Sequence, residues 1–192
     1  MEKPAINLPA KDLLKAKARI NLERASVLLI DNSWGAELLA GIFAGFGSKQ
    51  LYRCSSMASA NEIVRQHSID LIVSEAMLDE EDVYDFIRAL RLTSDNDMNR
   101  FTPVILLSAH TVSRKVAEAR DCGANLFVAK PISPKVLMER IRWVAGAKRK
   151  YLETQSYAGP DRRFHDDGPP QGMVGRRRGD ANEDQAAAGA AA

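Results

Sequence analysis

A chain of 192 residues, 45% hydrophobic and 27% charged with a net charge of +2, is long enough for one cored domain with appendages. No run approaches the roughly 18 apolar residues that span a membrane, and the lysine-bearing N-terminus has no apolar stretch of the secretory kind, so a cytoplasmic protein is expected. Cys54 and Cys122 stand far apart, with no CxxC and no neighbouring histidine, which favours reduced, buried thiols over a disulfide or zinc site.

The charge is unevenly placed. Residues 1–25 carry six basic against three acidic side chains, residues 26–147 thirteen against fifteen, and residues 148–192 eight against seven, with the basic ones clustered. The chain therefore divides into an N-terminal arm (1–25), a slightly acidic body (26–147) and a Gly-, Pro- and Arg-rich tail (148–192) expected to be flexible. Within the arm, Leu13, Leu14, Ala16, Ala18 and Ile20 among lysines suit a short amphipathic helix after Pro9, either docked on the body or fraying, or offered to a partner.

The body alternates apolar strand runs with helical periodicity. Val27–Ile30 is a first strand, followed by Asp31, Asn32 and Ser33, of which Asn32 or Ser33 is a candidate cap for a helix from Trp34 to Phe46. Leu51–Cys54 is a second strand, and Met57 to Gln66 a helix capped by Ser55 or Ser56. Asp70–Ser74 is a third strand, whose apolar run reads as buried on both faces of a parallel sheet. A helix over Asp82–Leu92 follows, with Val83, Phe86, Ile87 and Leu90 on one face, and then a polar loop over Ser94–Arg100. Pro103–Leu107 is a fourth strand, Thr111–Asp121 a helix closing at Gly123, and Leu126–Ala129 a fifth strand. Ser133 and Pro134 supply an N-cap with proline at the first position of a last helix to about Ala147. Strands alternating with helices imply right-handed crossovers, hence an α/β doubly wound sheet of five parallel strands.

Ligand crevices of open α/β sheets lie at the carboxyl ends of the strands. There the chain places Asp31 and Asn32, Glu75, Ser108, and Lys130 before Pro131. Carboxylates suit a hard divalent cation, whereas a hydroxyl and an ammonium suit phosphoryl oxygens. Trp34 falls near the mouth of that crevice, where partial burial in the first helical turn is favoured over a nucleotide-stacking role.

These motifs, in this order, resemble a response-regulator receiver domain over about Ser26 to Ala147. Val27-Leu-Leu-Ile-Asp-Asn32 is similar to the acidic pair of the first strand, and Asp70-Leu-Ile-Val-Ser-Glu75 to the segment that ends in the phosphorylated aspartate. Asp82 to Arg91 follows the family's third helix, Pro103 to Ala109 its Ser/Thr segment, and Gly123 to Pro131 its switch aromatic and lysine. The resemblance implies a flavodoxin-like receiver fold with strand order 2-1-3-4-5, two-component (phosphorelay) signalling without enzymatic activity, and a protein partner. That partner would dock on the face of the fourth helix, fifth strand and fifth helix, where Phe127 takes the switch position.

The departures are as informative as the matches. Glu75 stands where the family has its phosphoacceptor aspartate, which moves the carboxylate outward by about 1.5 Å, enough to disturb in-line geometry. Asn32 removes one anionic metal ligand, leaving Asp31 as a weak site, so Mg2+ binding is expected to be weakened. The loop Met77-Leu78-Asp79 lacks the family's proline, and Asp82-Val83 lacks its glycine. Phosphorylation is therefore not expected, and Glu75 either stands in for a phosphoryl group by reaching Lys130 and Ser108 or marks a lost site. A stand-alone pseudo-receiver is therefore expected.

In the tail, Tyr157-Ala-Gly-Pro-Asp-Arg-Arg163 sets two arginines after a turn, and Arg163/Asp166 and Arg177/Asp180 share Arg-x-x-Asp spacing. Arginine offers phosphate a bidentate fork and a base a stacking plane, while aspartate accepts from guanine. Arg162, Arg163, Asp166, Arg177 and Asp180 so resemble arginine-rich segments that bind cyclic di-GMP, against the plainer reading of a solvated tail. Seven acids among residues 148–192 argue against nucleic acid.

Overall fold

A computed structural model describes residues 22–78, 81–92, 99–109, 113–147, 149–154 and 157–161. Its main elements run β1 (Ser26–Ile30), α1 (Gly35–Gly45), β2 (Gln50–Cys54), α2 (Met57–Gln66), β3 (Leu71–Glu75), α3 (Tyr84–Leu92), β6 (Val104–Ser108), α4 (Ser113–Asp121), β7 (Leu126–Ala129) and α5 (Pro134–Gly146). Two small antiparallel pairs complete them: β4 (Met77–Leu78) with β5 (Glu81–Asp82), and β8 (Tyr151–Glu153) with β9 (Ala158–Pro160).

The central sheet is parallel throughout, in the order β2-β1-β3-β6-β7, which is the expected 2-1-3-4-5 of its five long strands. Alternate side chains enter opposite faces. Leu28, Ile30, Ile72 and Leu106 pack with α2, α3 and α4, whereas Val27, Leu29, Val73 and Leu107 pack with α1 and α5. Leu22 is buried in the second layer, and its N–H donates to the Phe46 carbonyl, so the folded body starts by residue 22.

Among α1, α2 and α5, two amino ends are capped by a serine side chain and one is not. Ser56 and Ser133 accept from the N–H groups of Ser59 and Val136, as expected. At α1 the N-cap is Trp34, which has no capping side chain, and Ser33 Oγ instead accepts from Gly35 N at 3.1 Å.

Two buried polar groups close the amino-terminal rim of the sheet. Asn99 donates to the Val64 and His67 carbonyls at 2.6 and 2.8 Å and accepts from Ile69 N, which satisfies the end of α2. Arg91 is 1% exposed, and its three nitrogens donate to Gly123 O, Arg100 O and Asn125 Oδ1. Burial pushes its pKa down, because the charged guanidinium has lost its water.

The expectation of a flexible tail from residue 148 is corrected at its start. The β8–β9 hairpin packs over Arg91, with Tyr157, Ala158, Gly159 and Pro160 buried. Tyr157 Oη donates to the Pro160 carbonyl at 2.6 Å, Phe101 meets Tyr151 edge-on, and Arg100 pairs with Glu153. Glycine content reads as disorder in sequence, but here the missing side chains permit close packing. Residues 1–21 and 162–192 lie outside the described residues.

Candidate functional site

Parallel strands in register bring their carboxyl ends to one rim. Ile30 lies beside Ser74, Glu75 beside Leu107, and Ser108 beside Ala129, so the residues at or just after these ends converge. Asp31 follows β1, Glu75 ends β3, Ser108 ends β6 and Lys130 follows β7.

The Asp31 carboxylate is buried, and its Oδ1 accepts from Ser33 N at 2.7 Å. Its Oδ2 stands 3.5 Å from Lys130 Nζ, which also donates to Glu75 Oε2. One ammonium thus bridges two carboxylates, and Lys130 N donates to the Ser108 carbonyl at 2.7 Å, fixing the base of that lysine. Gly35 walls the same space: a Cβ there would sit 3.9 Å from both Asp31 Oδ2 and Lys130 Nζ. Burial pushes the Glu75 carboxyl above its ordinary range, opposed by the Lys130 hydrogen bond and charge and reinforced by the Asp31 charge.

The loop after Glu75 is tied down although it lacks the proline and glycine expected of it. Ala76 N donates to Leu107 O at 2.7 Å, Val83 N to Ala76 O at 3.2 Å, and β4 pairs with β5. That miniature hairpin has no periodic signal in the sequence.

Of the expected site residues, Asp31, Glu75 and Lys130 are brought together, and Ser108 joins them as a buried residue through its main chain. Asn32 is exposed at the rim. Trp34 is 101% exposed, which corrects the expectation of partial burial: as the residue before α1 it points away from the core that holds Leu39 and Phe43. Phe127, opposite Leu106, is half-buried against the layer of α2, α3 and α4, and Val116 on α4 and Trp143 on α5 are exposed. Arg162, Arg163, Asp166, Arg177 and Asp180 lie outside the described residues. Arg91 was missed, yet its spacing of four from Ile87 and seven from Tyr84 sets it on the apolar face of α3.

Five parallel strands in the order 2-1-3-4-5, with two carboxylates and a lysine on the carboxyl rim, define an α/β domain of the flavodoxin-like receiver class. The chain belongs to the response regulator receiver domain family, whose model matches residues 27–142. It is 25% identical over 136 residues to the transcriptional regulatory protein YvrH of Bacillus subtilis, covering 70% of this chain and 54% of that one. It is 32% identical over 100 residues to the transcriptional regulatory protein AfsQ1 of Streptomyces coelicolor, covering 50% of this chain and 42% of that one. The chain thus spans about half the length of these curated relatives.

Among solved structures it is similar to the receiver domain of a signal transduction histidine kinase from Syntrophus aciditrophicus, at 29% identity and a TM-score of 0.56, covering 69% of this chain and 99% of that one. The chemotaxis protein CheY4 of Vibrio cholerae, at 23% identity and a TM-score of 0.56 over 62% of this chain and 98% of that one, shares the fold. Domains of this family serve two-component signalling and act on protein partners. Among the described residues no helix is long and apolar enough to cross a membrane.

Proposed function

We propose that this receiver domain works without phosphorylation, as a pseudo-receiver that signals by docking a protein partner. The observation that carries the reading is the Lys130 ammonium held between Glu75 and Asp31. In the family's chemistry that lysine waits for a phosphoryl oxygen; here the longer side chain of Glu75 delivers a carboxylate to it. Glu75 acts as a fixed anion in place of the phosphoryl group, and β7 and α4 follow the position of Lys130. The docking face is that of α4, β7 and α5, which carry the exposed Val116, the half-buried Phe127 and the exposed Trp143.

A divalent cation fits this donor set poorly. Two carboxylates and one ammonium leave a net charge of −1, Asn32 contributes none, and a cation would have to displace Lys130 from both acids. A solved receiver domain of the Pseudomonas aeruginosa sensor kinase PA1611 coordinates magnesium in its active-site cleft; occupancy by Mg2+ here is expected to be much weaker.

Amide hydrogen exchange on the full chain tests the reading. Adding acetyl phosphate with Mg2+ should leave β7 and α4 unchanged, whereas Glu75→Ala should alter their protection. A change in the wild-type protein on adding the phosphodonor, with none in Glu75→Ala, would overturn it.

A second reading is cyclic di-GMP binding through Arg162, Arg163, Asp166, Arg177 and Asp180, whose arginines can offer phosphate a bidentate fork. Calorimetric titration of wild type and of Arg162→Ala/Arg163→Ala with cyclic di-GMP tests it, and equal or absent binding by both removes it.

A further inference from the structure

The helix α4 is lightly held. Of its described side chains, Lys115 to Asp121, Ala119 alone is buried. One alanine supplies little of the apolar contact on which helices in proteins depend. In α3, by contrast, Tyr84, Phe86, Ile87, Leu90 and Arg91 are all buried. A contact between these two helices therefore places α4 more than it places α3.

One such contact is specific. Tyr84, buried at the start of α3, donates from its hydroxyl to the Lys115 carbonyl in the first turn of α4, at 3.3 Å. A carbonyl oxygen has two lone pairs, so it can accept a phenol beside its own helical bond, and a buried phenol needs such a partner. The Lys115 ammonium lies over the Tyr84 ring, 5.8 Å from its centroid, and pairs with Glu118 at 3.7 Å.

Tyr84 is also joined to the acid site. Ala76 follows Glu75; its N–H donates to the Leu107 carbonyl at 2.7 Å, and its own carbonyl accepts from Val83 N at 3.2 Å. Between them, Met77 and Leu78 pair with Asp82 and Glu81 in the β4–β5 ladder. From Glu75 to Tyr84 the main-chain path is therefore one peptide, one hydrogen bond and a second peptide. The phenol then reaches Lys115, the residue before exposed Val116. Lys130 is tied to the sheet separately, through its N–H on the Ser108 carbonyl.

We propose that Tyr84 is the positioning residue through which the Glu75 loop sets α4, and with it Val116, on the docking face. The proposal rests on the reading of Glu75 as a fixed anion that governs β7 and α4. It divides that control into two branches: Lys130 serves β7, and the Tyr84 hydroxyl serves α4.

The test is amide hydrogen exchange on the full chain, comparing wild type, Glu75→Ala, Tyr84→Phe and the double variant. Tyr84→Phe keeps the ring and its packing and removes only the hydroxyl. With Tyr84 in place, Glu75→Ala should change exchange several-fold in both α4 and β7. Combined with Tyr84→Phe, it should still change β7 but leave α4 where Tyr84→Phe alone puts it. A residue that merely supported α4 would shift its exchange by the same factor with or without Glu75, and that result overturns the proposal. A response to Glu75→Ala confined to β7 in otherwise wild-type protein also overturns it, while leaving the role of Glu75 standing. Loss of the β7 response in Tyr84→Phe overturns it too, since Tyr84 would then support the acid site itself. Silence of both elements to Glu75→Ala would remove the role of Glu75, and the relay with it.

Discussion

Gly159 of β9 lies so near Gly123 that a Cβ on Gly159 would stand 2.8 Å from the Gly123 Cα and 2.7 Å from Tyr157 Oη. A Cβ on Gly123 would in turn meet the Ala158 carbonyl at 2.6 Å, and Gly123 has a φ of +94°. Two glycines therefore form the seat by which the hairpin rests on the α4–β7 loop. The Gly123 Cα and the Ala158 carbonyl are backbone, and Tyr157 Oη is tied to the Pro160 carbonyl, so the seat cannot yield cheaply.

Gly159→Val should consequently unseat the hairpin, lowering stability by about 1–3 kcal/mol as overpacking does. Gly123→Val should cost more, since it adds a left-handed backbone angle that β-branched residues resist. Urea unfolding of the full chain measures both, and unchanged midpoints would show that the hairpin contributes nothing to the fold.

Arg91 beneath the hairpin is expected to matter through its acceptors. Asn125 Oδ1 also accepts from Val104 N and the Arg100 carbonyl from Tyr151 Oη, whereas the Gly123 carbonyl accepts from the guanidinium. Arg91→Met keeps the bulk and takes the guanidinium from the Gly123 carbonyl, which should destabilise by about 1–3 kcal/mol. A raised unfolding midpoint in Arg91→Met would mean that desolvation of the charge outweighs the hydrogen bonds it makes.

Both cysteines should be poor nucleophiles. Burial pushes the thiols of Cys54 and Cys122 up to about 11 from an ordinary 9.0. Two units leave about a hundredfold less thiolate at neutral pH, because the protonated form persists until the pH approaches the raised value. Labelling with a disulfide reagent should be slow in the native protein and fast in urea, and rise with pH only toward the alkaline end. Rapid native labelling at neutral pH would contradict this placement of the thiols.

What the sequence makes legible depends on the range of the interaction. The apolar runs Val27–Ile30, Leu71–Val73 and Val104–Leu107 expose the strands, because burial on both faces demands continuous hydrophobicity. Asp31, Glu75 and Lys130 are legible as a group because each stands at or just beyond a strand end. Asn99 and Arg91 are not, since their value lies in carbonyls supplied by segments 9 to 35 residues away. The hairpin is hidden for the opposite reason: Gly159 reads as a loop former until Gly123 is seen against it. Trp34 reads as partly buried from its place in the first turn of the helix, yet it is fully exposed, on the side of α1 away from Leu39 and Phe43.

The Lys130 bridge between Glu75 and Asp31 carries the functional account, and phosphotransfer tests it most directly. Incubation of the full chain with radiolabelled acetyl phosphate and Mg2+ should give no stable label, and Glu75→Asp should give at most weak labelling, because Asn32 still deprives the site of a carboxylate. Wild-type labelling approaching one phosphate per chain and abolished by Glu75→Ala would show that Glu75 accepts phosphate, and would contradict a receiver that signals without it.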